Sequence, residues 1–244
     1  MGTSGPYDAP SSWSDLKANI TRAAHAEIIT GPRAQSLIRS LIAHNGGRNE
    51  MARGSRLGAS GSAGSAAPAR DVASRLGAFV TDVRSLGFAK AAAKLGLGDL
   101  SGKPVSEILL GLLDRLGGNS STIDEADARQ ALSDLQEELF AEATDADKLE
   151  AILFDAAQNL ENLLERFFGY YIFEQFSRVF FERLVQRVGD LKATSFLNHI
   201  REFIQSALAN RATEKNLSTV DWAGPEGAAI VSQILDQTLE VFGA

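Results

Sequence analysis

The residues that could perform nucleophilic, acid–base or metal chemistry are few and widely separated. The chain has no cysteine, which excludes disulfides, thiolate nucleophiles and zinc sites built on sulfur. Its three histidines, His25, His44 and His199, show no helical metal-ligand spacing of the HExxH type. No GxSxG motif is present, so a serine hydrolase is not supported. We therefore assign no catalytic residue and no metal ligand, and we expect a protein that is not an enzyme.

Two further patterns have simpler explanations than catalysis. The acidic pairs Glu137–Glu138 and Asp145–Asp147 are predicted at helix surfaces or helix starts, where solvent and the helix dipole account for them. The stretch KLGLGDLSGK at 94–103 resembles part of a phosphate-binding loop, but it completes neither GxxxxGK[ST] nor GxGxxG. We interpret it as a turn.

The amino terminus offers one reactive group. Removal of Met1 would leave Gly2 with a free α-amine, whose usual pKa of about 7.7–8.0 leaves a useful fraction neutral and nucleophilic in the cell. Another enzyme could acylate this amine. The myristoylation pattern requires Ser or Thr at the sixth position, where this chain has Pro6. Many proteins begin with Met-Gly, so the residues alone favour an ordinary, unmodified start.

All regular secondary structure predicted for this chain is α-helical. Residues 1–11 form a flexible tail, residues 12–45 a small helical arm, residues 46–67 a linker rich in Gly, Ser and Arg, and residues 68–244 an α-helical globular domain. The predicted fold is all-α, with a flexible tail and a helical arm followed by an irregular multi-helix bundle.

Within the bundle, Thr122 and Glu125 have the spacing of a capping box, which predicts a helix start. Residues 145–188 are predicted to be helical, with a break near Gly169. The aromatic run at 167–181 is interrupted by charges and is too short to span a bilayer, which favours buried core. Because no membrane span or secretory signal is evident, we expect a soluble protein of the cytoplasm.

Charge is unevenly distributed along the chain. Residues 1–75 contain nine Lys or Arg against five Asp or Glu, whereas residues 76–244 contain fifteen against twenty-six. Arg48, Arg53 and Arg56 lie in the linker and are candidates for contact with a partner. A dense basic run with interleaved aromatics is missing, so a solvated or partner-facing segment is favoured over contact with nucleic acid, and composition does not decide between a solvated hinge and a partner contact.

The order of these features resembles the QatB-like component of the four-gene Qat anti-phage defence systems of bacteria. The resemblance covers most of the chain, with its most specific parts between Leu95 and Leu116 and in IDEADAR. The carboxyl third is only loosely similar, the proline-rich tail is shorter than is usual, and GSAGSAAPARD looks like an insertion. The matching segments are MGTS at 1–4, GGRNEMARGSRLGAS at 46–60, AFVTDVRSLGFAKAAAKLGLGDLSGKPVSEILLGLLDRL at 78–116 and STIDEADARQAL at 121–132.

This resemblance implies a non-enzymatic protein encoded beside an ATPase, a QueC-like enzyme and a TatD-like DNase. The QueC-like partner is expected to use ATP to activate the carboxylate of a 7-deazaguanine and to join it to Gly2, with Thr3 and Ser4 as recognition residues. ATP and the deazaguanine would belong to that partner, so the chain itself is expected to bind no cofactor. A purely structural scaffold that assembles the other components without being modified is the alternative, and nucleic-acid binding through the arginines is a third hypothesis.

Overall fold

The computed structural model describes residues 11–26, 29–48, 51, 66–118, 120–209, 217 and 220–243. Every regular element in these ranges is an α-helix, which confirms the predicted fold class. The helices are α1 (Ser11–Ala24), α2 (Gly31–His44), α3 (Ala67–Leu86), α4 (Phe88–Lys94), α5 (Val105–Gly117), α6 (Ile123–Leu139), α7 (Ala146–Gln158), α8 (Leu160–Val188), α9 (Asp190–Ala209) and α10 (Pro225–Val241).

Local sequence determines several helix starts. The predicted capping box at α6 is confirmed: the Glu125 backbone N–H donates to the Thr122 hydroxyl at 3.2 Å, and the Thr122 N–H donates to the Glu125 carboxylate at 2.9 Å. Asp145 caps α7 by accepting a hydrogen bond from the Lys148 N–H at 2.8 Å. These contacts satisfy amides that have no partner within the helix.

The long helix α8 is the centre of the core. It contacts α1, α3, α6, α7, α9 and α10. Five aromatic side chains of its central run are fully buried, which confirms the prediction of core rather than membrane. They are Phe167, Phe168, Tyr171, Phe176 and Phe180. Among the described residues, no helix has the length and apolar character that crossing a bilayer requires.

The predicted break near Gly169 is wrong, because α8 runs without interruption from Leu160 to Val188. A Cβ atom at Gly169 would lie 2.6 Å from Cδ1 of Leu208 and 3.1 Å from Cγ2 of Ile204. The glycine therefore permits close approach of α9 instead of ending a helix. The interruptions lie at Asn159 and at Gly189, whose φ of 83° is favourable for glycine.

Helices α1 and α2 occupy the range predicted as the helical arm, and they pack into the same hydrophobic core as the rest of the chain. The buried face of α1 contacts α8, and α2 contacts α9. The residues on this face recur at three- and four-residue steps: Leu16, Ile20, Ala23 and Ala24. The predicted tail, apart from Ser11, and most of the predicted linker lie outside the described residues.

Candidate partner-binding site at the base of the amino-terminal leader

The amino-terminal leader, residues 1–10, joins the body at α1. There the Trp13 ring stacks on the His44 imidazole, with centroids 4.0 Å apart and planes inclined by 14°. The same ring lies 5.5 Å from the ring of Phe180 on α8, and the Lys17 ammonium sits 4.6 Å from its centroid. Trp13 thus fixes the beginning of α1, the helix that follows the leader, against α2 and α8.

The electrostatics of this junction favour a neutral imidazole. Burial, and to a smaller extent the positive charge of Lys17, lower the pKa of His44 below its usual value of 6.5. A neutral ring can stack on Trp13 without repelling the nearby ammonium. The Trp13–His44 stack is therefore a structural contact. It has no sequence pattern, because Trp13 and His44 belong to different helices.

Arg48 was predicted to contact a partner, and the structure places it in ion pairs within the chain. Its Nε lies 2.9 Å from Oδ1 of Asp236, and its NH1 lies 3.5 Å from Oε2 of Glu240, both on α10. About a third of the Arg48 side chain stays exposed, at 32%. The arginine ties the end of the α2 region to α10, and its role in partner binding stays a prediction.

Two other side chains of α2 reinforce this attachment. Gln35 donates to the Val241 carbonyl at 3.4 Å, and Arg39 donates to the Phe242 carbonyl at 3.3 Å. The remaining predicted site residues, Gly2, Thr3, Ser4, Arg53 and Arg56, lie outside the described residues. Of the predicted site, the structure therefore describes Arg48 and the anchored helices next to the leader.

Charged residues at the contact between α6 and α8 are engaged in pairs. Arg178 donates from Nε to both carboxylate oxygens of Asp127, at 3.2 and 2.9 Å. Burial raises the pKa of Asp127, and the guanidinium partly offsets that effect. Glu138, one member of an acidic pair in the sequence, accepts from the Tyr170 hydroxyl at 2.7 Å and pairs with Arg166 at 2.8 Å. These charged groups make contacts between α6 and α8, and a catalytic role is not needed to explain them.

Glu174, on α8, is a carboxyl group with a strongly raised pKa. Burial, followed by the charge of Asp134 and a hydrogen bond with it, raises the pKa of Glu174 to about 8. Burial also raises the pKa of Tyr170 to about 12, which keeps its hydroxyl a donor to Glu138. Neither Glu174 nor Asp134 is among the residues that line three cavities of the described chain, of about 590, 590 and 270 Å³. Their position favours helix packing over substrate chemistry.

One cavity unites residues that are far apart in the sequence. His25, at the end of α1, and His199, on α9, both line a cavity of about 270 Å³, together with Lys192. Their positions in the sequence do not indicate this proximity, since helical spacing cannot reveal contacts between distant helices. Within the described ranges, no group of three or more potential metal ligands comes together. Two histidines alone do not define a metal centre.

The described fold is that of an all-α protein built around one aromatic helix, against which the amino-terminal helix α1 packs. A family model described as "Qat anti-phage system associated protein QatB" matches residues 58–242. Since the match covers most of the sequence, the chain belongs to the QatB family, which confirms the resemblance and gives it a role in the Qat anti-phage defence system. Comparison with curated proteins and with solved structures gives no match.

Proposed function

We propose that this protein is a non-enzymatic adaptor and substrate of the Qat system, which presents Gly2 to a QueC-like partner. The observation that carries the proposal is the fixed attachment of the leader, because the chain is packed into the body from Trp13 onward. After removal of Met1, nine residues precede α1, and an extended segment of that length spans at most about 32 Å. That reach is sufficient for the leader to enter an active site whose owner docks on the helical body.

The proposed reaction is amide formation at the Gly2 nitrogen after removal of Met1. The partner activates the carboxylate of a 7-deazaguanine with ATP, forming an acyl adenylate and releasing pyrophosphate. The amine attacks the acyl carbon, a C–N bond forms, the bond to AMP breaks, and the amine proton passes to a base or to water. Glycine suits this attack because no side chain obstructs the approach.

Recognition in this scheme is divided between the leader and the linker. Thr3 and Ser4 follow the acceptor and provide hydroxyl groups for contacts inside the partner's pocket. Arg48, Arg53 and Arg56 supply positive charge close to the arm, and the exposed third of Arg48 is accessible beside its ion pairs. The deazaguanine and ATP belong to the partner, and this chain contributes the nucleophile and its presentation.

Two deletions of equal length test the acceptor role against the effect of leader length. Deletion of residues 2–6 removes the acceptor, whereas deletion of residues 6–10 shortens the leader equally and keeps Gly2, Thr3 and Ser4. We expect the first deletion to abolish protection against phage in a plaque assay while complex formation persists. We expect the second to retain at least part of the protection. Full protection by the first variant would contradict the acceptor role.

A purely structural scaffold is the second candidate, and one observation favours it. The family match covers residues 58–242, which include α3 to α10 but not the leader, α1 or α2. A scaffold would dock the ATPase, the QueC-like enzyme and the TatD-like DNase without being modified. It predicts equal protection by both deletion variants, which separates the two candidates.

A further inference from the structure

A groove lies between α4, α7 and the turn that precedes α5. It has a volume of about 590 Å³. We call it the α4–α7 groove. It is formed partly by residues 100–105, within the segment on which the resemblance to the QatB family rests most specifically. Its lining residues are Phe88, Ala89, Leu100, Ser101, Gly102, Lys103, Pro104, Val105, Thr144, Asp145, Ala146, Asp147 and Glu150.

The walls of the groove are held in place by buried contacts. The Phe88 backbone N–H donates to Oε1 of Glu150 at 2.9 Å, which joins the start of α4 to α7. The ring of Phe88 is 3% exposed and meets the Phe79 ring edge to face, with centroids 6.4 Å apart. The groove is therefore a preformed surface, and a ligand would not have to open it.

The charge of the groove is negative. Its lining contains three carboxylates, those of Asp145, Asp147 and Glu150, and one ammonium, that of Lys103. Lys103 already pairs with Glu107 at 3.1 Å. Hydrogen bonds from the Lys148 backbone and the Thr144 hydroxyl lower the pKa of Asp145, so this carboxylate is ionised at neutral pH.

Apolar side chains stand beside these carboxylates. Phe154 is 47% exposed and follows Glu150 by one turn of α7, on the same face of the helix. Leu86 is 46% exposed and lies two residues before Phe88. Large apolar side chains exposed next to a concave surface are typical of contact sites for other proteins. Phe154 continues the face of α7 that carries Asp147 and Glu150, and Leu86 lies just before the first lining residue of α4.

We propose that the α4–α7 groove docks a segment of another protein in which a lysine or arginine stands next to large apolar residues. The cation would lie among the three carboxylates, and the apolar residues would cover Leu86 and Phe154. Nucleic acid would be repelled by these carboxylates. A second copy of this chain, which has a net charge of −7, would approach with the same sign of charge. None of the residues that line the groove belongs to α1 or α2, and its test does not depend on modification of Gly2.

Site-specific photo-crosslinking tests the proposal with the full chain expressed together with the other Qat components. Benzoylphenylalanine replaces Phe154, and the control carries it at Leu191 of α9, which is 86% exposed. We expect position 154, but not position 191, to crosslink to a partner peptide that contains Lys or Arg beside an apolar residue. A crosslink to an acidic peptide or to a second copy of this chain, or no crosslink, would overturn the proposal.

Charge reversal supplies the matched test. We expect Asp147→Lys to reduce the crosslink from position 154 by roughly tenfold, since a like charge would face the incoming cation. Glu202→Lys, at an exposed position on α9, makes the same change in net charge and should leave the yield unchanged. Asp147→Asn should give an intermediate yield and introduces no basic residue into the first turn of α7. Equal yields from Asp147→Lys and Glu202→Lys would contradict the assigned site.

Discussion

Among single residues, Glu174 makes the stability of the folded protein depend on pH, because burial raises its pKa. Its pKa of about 8 exceeds the ordinary value of 4.5, so between these pH values the folded protein holds a proton that the unfolded chain has lost. The stability contributed by this proton is fully present below pH 4.5 and is lost as the pH rises through about 8. Burial raises the pKa of Asp127 as well, which acts in the same direction.

We therefore predict that the free energy of unfolding falls as the pH rises from 5.5 to 8, and that Glu174→Gln makes this fall shallower. Urea denaturation at the two pH values measures the effect. Glu182→Gln, on the exposed side of α8, is the control and should keep the slope of the unaltered protein. Equal slopes for the two variants would show that Glu174 does not hold the proton.

Gly169 provides a second prediction at this scale. Alanine there would overpack the contact with Leu208, at a cost of about 1–3 kcal/mol, which is larger than the gain of about 1 kcal/mol in helix propensity. We expect Gly169→Ala to lower the midpoint of urea denaturation. In Gly31→Ala the new Cβ would lie 3.4 Å from Phe203, an ordinary contact, and stability should change by less than about 0.5 kcal/mol. A Gly169→Ala protein as stable as this control would contradict the packing explanation.

These residues show why part of the structure was predictable. The Thr122–Glu125 cap depends on residues three positions apart, so its sequence pattern determines it. Gly169 was interpreted as a helix break because its reason, the approach of Leu208, comes from another helix. The ion pairs of Arg48 with α10 likewise join distant parts of the chain and have no sequence pattern.

At the scale of elements, helix starts and buried faces follow from local chemistry. The capping box makes α6 a direct test. We predict that Thr122→Ala costs about 1 kcal/mol of stability because the Glu125 N–H loses its acceptor. Thr122→Ser keeps the hydroxyl and should cost much less. Urea denaturation of the two variants gives the comparison, and equal losses would mean that the cap contributes little to α6.

At the scale of the whole molecule, the linker separates α1 and α2 from α3 in sequence, whereas packing unites them in one core. Hydrophobic periodicity predicted both helices, but it could not show that they contact α8 and α9, because that packing is long-range. For the candidate site, the sequence could predict only the types of residue involved. The Trp13–His44 stack joins two helices and is visible only in the folded structure.

We predict that α1 and the rest of the core unfold together. The chain has two tryptophans, Trp13 in α1 and Trp222 before α10, so Trp222→Phe and Trp13→Phe each leave one fluorescent reporter. In each variant, the urea midpoint from fluorescence should coincide with that from helical circular dichroism. A lower fluorescence midpoint when Trp13 is the reporter would show that the amino-terminal helices unfold separately.

The proposed function requires that Gly2, carried by the helical body, is the acceptor for another protein's chemistry. Mass spectrometry of the amino-terminal peptide, purified from cells that express all the Qat components, tests it most directly. We expect a peptide that has lost Met1 and carries a 7-deazaguanine in amide linkage on Gly2. When the QueC-like partner is omitted, we expect the peptide to be unmodified. An unmodified Gly2 in the presence of every component would contradict it.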